Sequence, residues 1–116
     1  MKLSEIAGAC GLEIVHLPQP DTEVTAAYTS DLLSDVMAHC PEDSLLISVQ
    51  NHKNSIAVCT LVGAHAVIIA HNRPIPEDML ESARQEGIAL FRSRDDQFTL
   101  SCRIGGLLGS RSLPLC

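Results

Sequence analysis

Polar side chains that could bind a ligand follow several short apolar runs of the chain. Such clusters occupy residues 29–31, 50–52, 71–73 and 92–93, and the predicted ligand-binding residues among them are Thr29, Ser30, Asp31, His52 and Asn72. Open α/β sheets bind ligands outside the carboxyl ends of their strands, so we expect these residues to share a crevice at one sheet edge. The same residue types also cap helices and form solvated loops, and the pattern leaves that alternative open.

The trio at residues 29–31 separates a strand-like run from a helical one, "SDLLSDVMAHC". Ser30 is predicted to be the N-cap of that helix, and Asp31 suits the positive end of its dipole. The helix is predicted to have an apolar stripe on one side, made of Leu32, Leu33, Val36, Met37 and Cys40. If the trio also binds a ligand, the carboxylate of Asp31 suits a cation or a ribose hydroxyl better than an unassisted phosphate.

Motifs of established chemistry are missing from the chain. It contains no Walker A sequence, no GxGxxG and no GxSxG, and its five histidines form neither HxH nor HExxH. Its five cysteines are widely spaced without a CxxC pair, and most lie in apolar patterns. These patterns predict no catalytic residue, no metal site and no identifiable cofactor, and the thiols indicate a reduced cytoplasmic setting.

The charge of the chain excludes two classes of partner. Its formal net charge of −6 over 116 residues repels nucleic acid phosphates and anionic membranes. No apolar run reaches the 18 residues that a membrane-spanning helix needs. The sequence therefore predicts binding to neither nucleic acid nor membrane.

The order of the predicted elements indicates the fold class. Short apolar runs at residues 45–49 and 66–70 have the composition of strands buried on both faces, and they alternate with helical patterns. We therefore predict an α/β domain with three α/β/α layers and a mostly parallel sheet. The domain is expected to span residues 1–109, with a flexible tail at 110–116, and the expected N-caps of three other helices are Ser4, Asn54 and Ser93.

The segment "SIAVCTLVG", residues 55–63, is predicted to be a helix that is apolar on nearly every side. Such a helix needs cover on more than one face. In a domain of this size a second copy of the chain could supply that cover. The sequence therefore predicts a homodimer with this segment, or the last helix, near the interface.

Most of the chain resembles the DRTGG domain, the small α/β module that is similar to the N-terminal domain of HPr kinase/phosphorylase. The matching stretches are "MKLSEIAGACGLEI", "DTEVTAAYTSDLLSDVMAHC", "AVIIAHNRPIPEDMLESARQEGIALFRS" and "FTLSCRI", within residues 1–108. In the motif that names the family, Asp21 and Thr25 match. Thr22 stands where arginine is usual, and Ala26 and Ala27 replace both glycines.

The resemblance implies a fold like that of the HPr kinase N-terminal domain, and a regulatory rather than a catalytic role. On that basis the chain is expected to be a ligand-sensing module that binds a nucleotide or a partner enzyme. The alternative is a structural, dimeric interaction protein that docks onto a neighbouring metabolic enzyme, for example a hydrogenase-related one. A small enzyme is the third hypothesis, although no motif supports it.

Overall fold

A computed structural model describes residues 1–109, so the tail predicted at 110–116 lies outside the described residues. Helices and strands alternate along most of the chain, as expected of the predicted α/β class. In chain order the elements are α1 Leu3–Cys10, β1 Glu13–His16, β2 Ala26–Thr29, α2 Leu33–His39, β3 Ser44–Ser48, α3 Lys53–Val62, β4 Ala66–Ile69, α4 Glu77–Glu86, β5 Ala89–Arg92 and α5 Gln97–Leu108. Within these residues, no helix is long and apolar enough to cross a membrane.

The five strands form one sheet in the order β1-β5-β4-β3-β2. Strands β2 to β5 are parallel, and β1 pairs antiparallel with β5 at one edge. The central strands β3 and β4 are buried at every residue, because helices cover both faces of the sheet. The prediction of a mostly parallel sheet with these two apolar runs at its centre is confirmed.

Two apolar cores lie on opposite faces of the sheet and complete the three predicted layers. Helices α1 and α5 pack on one face, where Ile6 and Ile104 contact the same core as Phe91 of β5. Helices α2, α3 and α4 pack on the other face through residues that include Ile56 and Met79. The periodic apolar positions of each helix thus decide which side it presents to the sheet.

The chain path explains why three consecutive helices share a face. Strands β2, β3, β4 and β5 lie side by side in sequence order, so each crossover moves in the same direction across the sheet. Right-handed crossovers that move in one direction place their helices, here α2, α3 and α4, on the same face. After β5 the chain turns to the opposite face and forms α5. The segments that follow β4 and β5 therefore leave the sheet on opposite sides.

The N-caps predicted for α1, α3 and α5 are wrong. The observed N-cap residues of α1, α3 and α5 are Lys2, His52 and Asp96, where Ser4, Asn54 and Ser93 were expected. His52 Nδ1 accepts the N–H of Asn54 at 3.1 Å, and Asp96 Oδ1 accepts the N–H of Thr99 at 2.7 Å. A capping atom must face a free N–H of the first turn, so the exit angle of the preceding loop decides which residue caps.

Candidate functional site

The carboxyl ends of the four parallel strands meet at one edge of the sheet, as the sequence predicts. The loops after neighbouring strands are joined there by hydrogen bonds. Gln50 Nε2 donates to the carbonyl oxygen of Asp31 at 2.9 Å, and Asn51 Nδ2 donates to that of Pro74 at 2.7 Å. The polar clusters after β2, β3 and β4 therefore lie next to one another.

The prediction that Ser30 is the N-cap of α2 is wrong. Helix α2 begins at Leu33, and its N-cap position is Leu32, which makes no side-chain cap hydrogen bond. Ser30 lies two residues before that position, so its hydroxyl accepts the N–H of Leu32 at 3.1 Å and closes the local turn instead. The hydroxyl of Thr29 lies 2.6 Å from that of Ser101 on α5. The Ser30 hydroxyl thus stabilises the turn, and the Thr29 hydroxyl joins β2 to α5.

A tyrosine–aspartate hydrogen bond holds α2 against β2 across this turn. The Tyr28 hydroxyl donates to Asp35 Oδ2 at 2.6 Å, and His39 Nδ1 lies 3.1 Å from the other carboxylate oxygen. The hydrogen bond from Tyr28 is the main reason that the pKa of Asp35 lies below its usual value. The same hydrogen bond raises the pKa of Tyr28.

We expect Tyr28→Phe to reduce the loss of stability that the protein suffers in acid. Because the folded-state pKa of Asp35 is depressed, its contribution is present above its unfolded pKa and is lost as the pH falls through the folded pKa. Urea unfolding at steps from about pH 6 down to pH 2.5, on either side of the reference carboxyl pKa, measures this slope. The control is Tyr28→Phe in an Asp35→Asn background, where it should leave the slope unchanged. An unaltered acid dependence in the single variant would contradict the assignment.

Helix α2 buries less of its predicted apolar stripe than expected. Only Val36 is fully buried, whereas 62% of Leu32 and 55% of Met37 are exposed. The helix lies over the edge strand β2 and packs against α3 on one side, so its other side has no neighbour within the described residues. An apolar stripe normally faces the core, but Leu32 and Met37 of this stripe face away from it.

The five predicted site residues do not share one cavity. Asn72 lines a cavity of about 550 Å³ at the carboxyl end of β5, and Thr29 lines a separate one of about 210 Å³ between β2 and α5. Ser30, Asp31 and His52 line neither. The smaller cavity is also lined by Ala26 and Ala27, which replace the motif glycines. Both alanines lie in the regular strand β2, where an extended backbone needs no glycine.

The larger cavity lies at the carboxyl end of β5, on the side of β1 and α5. It is lined by the end of α1 and the turn after it, the start of β1, the loop after β5 and Arg103 of α5, and Asn72 of the loop after β4 lies at its wall. The backbone N–H groups of His71 and Asn72 donate to Asp95 and Ser93, so the loops after β4 and β5 are joined beside the cavity. The carboxyl edge of the parallel strands is the side on which open α/β sheets bind their ligands. The volume of the cavity falls within the range of small-molecule sites.

We call this cavity the arginine crevice because three guanidinium groups line it. The lining residues are Cys10, Gly11, Leu12, Glu13, Asn72, Arg92, Ser93, Arg94, Asp95 and Arg103. Arg92 ends β5, Arg94 lies in the loop that follows, and Arg103 projects from α5. Three of the eight lysine and arginine residues of an acidic chain therefore surround one cavity.

Two carboxylates hold two of these arginines in place. Arg92 donates from Nε and Nη2 to Glu13 Oε1 at 3.0 and 2.8 Å, and Arg103 Nη1 donates to Asp95 Oδ2 at 3.0 Å. In the described part of the chain, Arg94 is exposed and forms no ion pair. The crevice therefore combines two oriented guanidiniums with one that no carboxylate neutralises.

Asn72 reaches the crevice from an unusual backbone conformation. His71 and Asn72 have φ values of 60° and 50°, in the left-handed region that non-glycine residues seldom adopt. Two backbone hydrogen bonds hold the pair. The N–H of Asn72 donates to the carbonyl oxygen of Ser93 at 2.6 Å, and the N–H of His71 donates to the carbonyl oxygen of Asp95 at 2.9 Å. Residues held in such conformations often belong to functional sites. The turn fixes the asparagine at the wall of the crevice.

Sequence reasoning missed most of this crevice. The sequence pattern places Arg92 and Ser93 after an apolar run, but neither is among the predicted ligand-binding residues. Arg94 and Arg103 are not among them either. The density of arginine between residues 92 and 103 is a usable signal in a chain so poor in cations. Among residues 1–109, no group of three or more histidine, cysteine, aspartate or glutamate side chains converges on a point where a metal ion could bind.

Comparison with known proteins supports the fold. No family sequence model matches the chain, and no curated protein sequence matches it either. A solved structure does match: the CBS and DRTGG domains of the regulatory region of Clostridium perfringens pyrophosphatase, complexed with its activator, diadenosine tetraphosphate. The TM-score is 0.71 and the sequence identity is 15%.

The alignment covers 88% of this chain and 45% of the pyrophosphatase chain, so the protein corresponds to less than half of that structure. At this identity the likeness establishes the fold. It confirms the resemblance to DRTGG domains that the sequence predicts, together with the α/β fold that the resemblance implies.

Proposed function

We propose that this protein is a regulatory, ligand-sensing module that binds a nucleotide at the arginine crevice. The observation that carries the proposal is the crevice itself, a polar cavity at the carboxyl edge of the parallel strands of a DRTGG-like fold. The pyrophosphatase structure supports the regulatory role, because it is a regulatory region in complex with a dinucleotide activator. Asn72 is the predicted site residue that this proposal retains.

A sensing role fits the chemistry of the crevice better than catalysis. Guanidinium and amide groups bind and orient a ligand but do not act as nucleophiles. Cys10 is the thiol at the crevice, and burial raises its pKa, so it is protonated and unreactive near neutral pH. Four cysteines of the described chain are free thiols, which supports action in the reducing cytoplasm.

Nucleotide binding should raise the thermal stability of the protein. A nucleotide at a hundred times its dissociation constant adds about 2.7 kcal/mol, which shifts the Tm of a domain this size by about 10 °C. Thermal unfolding with diadenosine tetraphosphate, ATP and AMP measures the shift, and Asn72→Ala should diminish it. Asp31→Asn tests the predicted site after β2: if only that variant weakens binding, the ligand binds there and not in the crevice. No shift with any nucleotide would refute the nucleotide proposal.

An apolar surface on α2 and α3 supports association with a second copy. Five large apolar side chains of the described residues are exposed, and three of them, Leu32, Met37 and Leu61, lie on the face that carries these helices. We extend the proposal to a homodimer that covers this surface. A partner enzyme is the alternative occupant of this surface. If the protein binds such an enzyme but no nucleotide, it is the structural interaction protein that the sequence leaves open as the alternative.

A further inference from the structure

We propose that the arginine crevice binds the phosphate end of its ligand, with Arg94 as the main contact and Arg92 and Arg103 as oriented donors. This inference deepens the proposed function, because it rests on the same crevice and names the chemical group that the crevice takes. The sequence patterns assign no ligand group to these residues.

The charge of the crevice favours an anion. Three guanidiniums and two carboxylates line it, so it has a net positive charge of one in a chain whose formal net charge is −6. The two carboxylates are already engaged, Glu13 with Arg92 and Asp95 with Arg103. Arg94, which no carboxylate pairs in the described residues, is left to attract a charged ligand.

The hydrogen-bond donors of the crevice are suited to phosphate oxygens. A guanidinium has five N–H donors in a planar fork that matches phosphate geometry. Arg92 uses Nε and Nη2 on Glu13, and Arg103 uses Nη1 on Asp95, so within residues 1–109 Nη1 of Arg92 and Nε and Nη2 of Arg103 have no protein acceptor. The ion pairs thus fix the direction of each guanidinium while leaving donors for a ligand.

The crevice has room for more than one phosphate group. Its volume of about 550 Å³ is that of a site for a nucleotide-sized molecule, and Asn72 supplies an amide that can both donate and accept. By contrast, the cluster after β2 carries the carboxylate of Asp31, which repels phosphate. The two ends of the sheet edge therefore differ in the ligand charge that they favour.

Calorimetric titration with pyrophosphate, ADP and adenosine tests the inference. We expect pyrophosphate and ADP to bind and adenosine to bind far more weakly. Arg94→Gln should weaken pyrophosphate binding about tenfold, the effect of losing one charge-assisted contact. The matched control is Arg84→Gln on α4, an exposed arginine outside the crevice, which removes the same charge and should leave affinity unchanged. Affinity should also fall as salt is added.

The results separate this inference from the broader proposal. If pyrophosphate binds through Arg94 but ADP binds no more tightly than pyrophosphate, the phosphate site is supported and the nucleotide proposal fails. If ADP and adenosine bind with equal affinity and Arg94→Gln changes neither affinity, the ligand is bound through a group other than its phosphates, and the inference is overturned. Equal losses of pyrophosphate affinity in Arg94→Gln and Arg84→Gln would mean that only the overall charge of the protein matters, which overturns the inference. The inference is also overturned if pyrophosphate does not bind at millimolar concentration.

Discussion

Replacing Phe91 by alanine should destabilise the protein by about 3–5 kcal/mol, the usual cost of removing a buried phenyl ring. Phe91 is fully buried on β5, between its strand neighbours Ile14 and Ile68, and it belongs to the core under α1 and α5. The cavity left behind cannot collapse easily, because strands on both sides hold the backbone in place. Domains of this size have a total stability of about 5–15 kcal/mol, so the variant should lose a large part of its stability.

The chain contains a matched control for this experiment. Phe98, the other phenylalanine, lies in the first turn of α5 and is 78% exposed, so Phe98→Ala should change the unfolding free energy by less than about 0.5 kcal/mol. Urea unfolding of both variants followed by circular dichroism measures the difference. Similar losses in the two variants would mean that β5 does not lie at the centre of the packed sheet.

Replacing Ile56 by alanine should cost about 2–5 kcal/mol, since this side chain is fully buried between α3 and the sheet. Leu61 lies on the same helix but is 72% exposed, so Leu61→Glu should leave the stability of the protomer within about 0.5 kcal/mol of wild type. Urea unfolding of the two variants tests which side of α3 faces the core. A large loss for Leu61→Glu in a monomer would contradict the observed orientation.

The same pair of variants tests the proposed homodimer. If the surface formed by Leu32, Met37 and Leu61 is the interface, Leu61→Glu should convert the dimer to a monomer, because a carboxylate cannot be buried unpaired. Sedimentation of wild type and variant at tens of micromolar, roughly where a weak dimer still forms, measures this. A wild-type monomer at that concentration would argue against the homodimer, and an unaffected dimer would place the interface elsewhere.

Much of the fold could be predicted because it depends on local patterns. The runs at residues 45–49 and 66–70 are continuous in apolar residues, which is typical of strands buried on both faces, and both lie at the centre of the sheet. Gly63 and Gly87 directly follow helical patterns in the sequence; they end α3 and α4, and both have the positive φ that such positions require. The helix caps were harder to predict, since Ser30 and Ser93 have capping side chains but lie too far from the free N–H groups of the first turn.

The candidate site could be predicted only in part. The sequence correctly placed polar residues at the carboxyl edge of the sheet, and it selected Asn72. Whether Thr29, Ser30, Asp31 and His52 contact a ligand remains a prediction, and Thr29 and Ser30 make local hydrogen bonds in this structure. The arginines were missed because Arg92 and Arg103 are eleven residues apart and come from different elements.

The sequence by itself determined the elements, their alternation and the composition of the strands, because periodicity and turn residues act over a few positions along the chain. Only the tertiary structure decided where a cavity opens. That depends on β1 pairing with the end of β5 and on α1 and α5 packing side by side, which brings Glu13, Arg92 and Arg103 to one place. These are contacts between segments far apart in sequence. A hydrophobic pattern indicates that a helix has an apolar face, but it does not indicate which side of the sheet the helix covers.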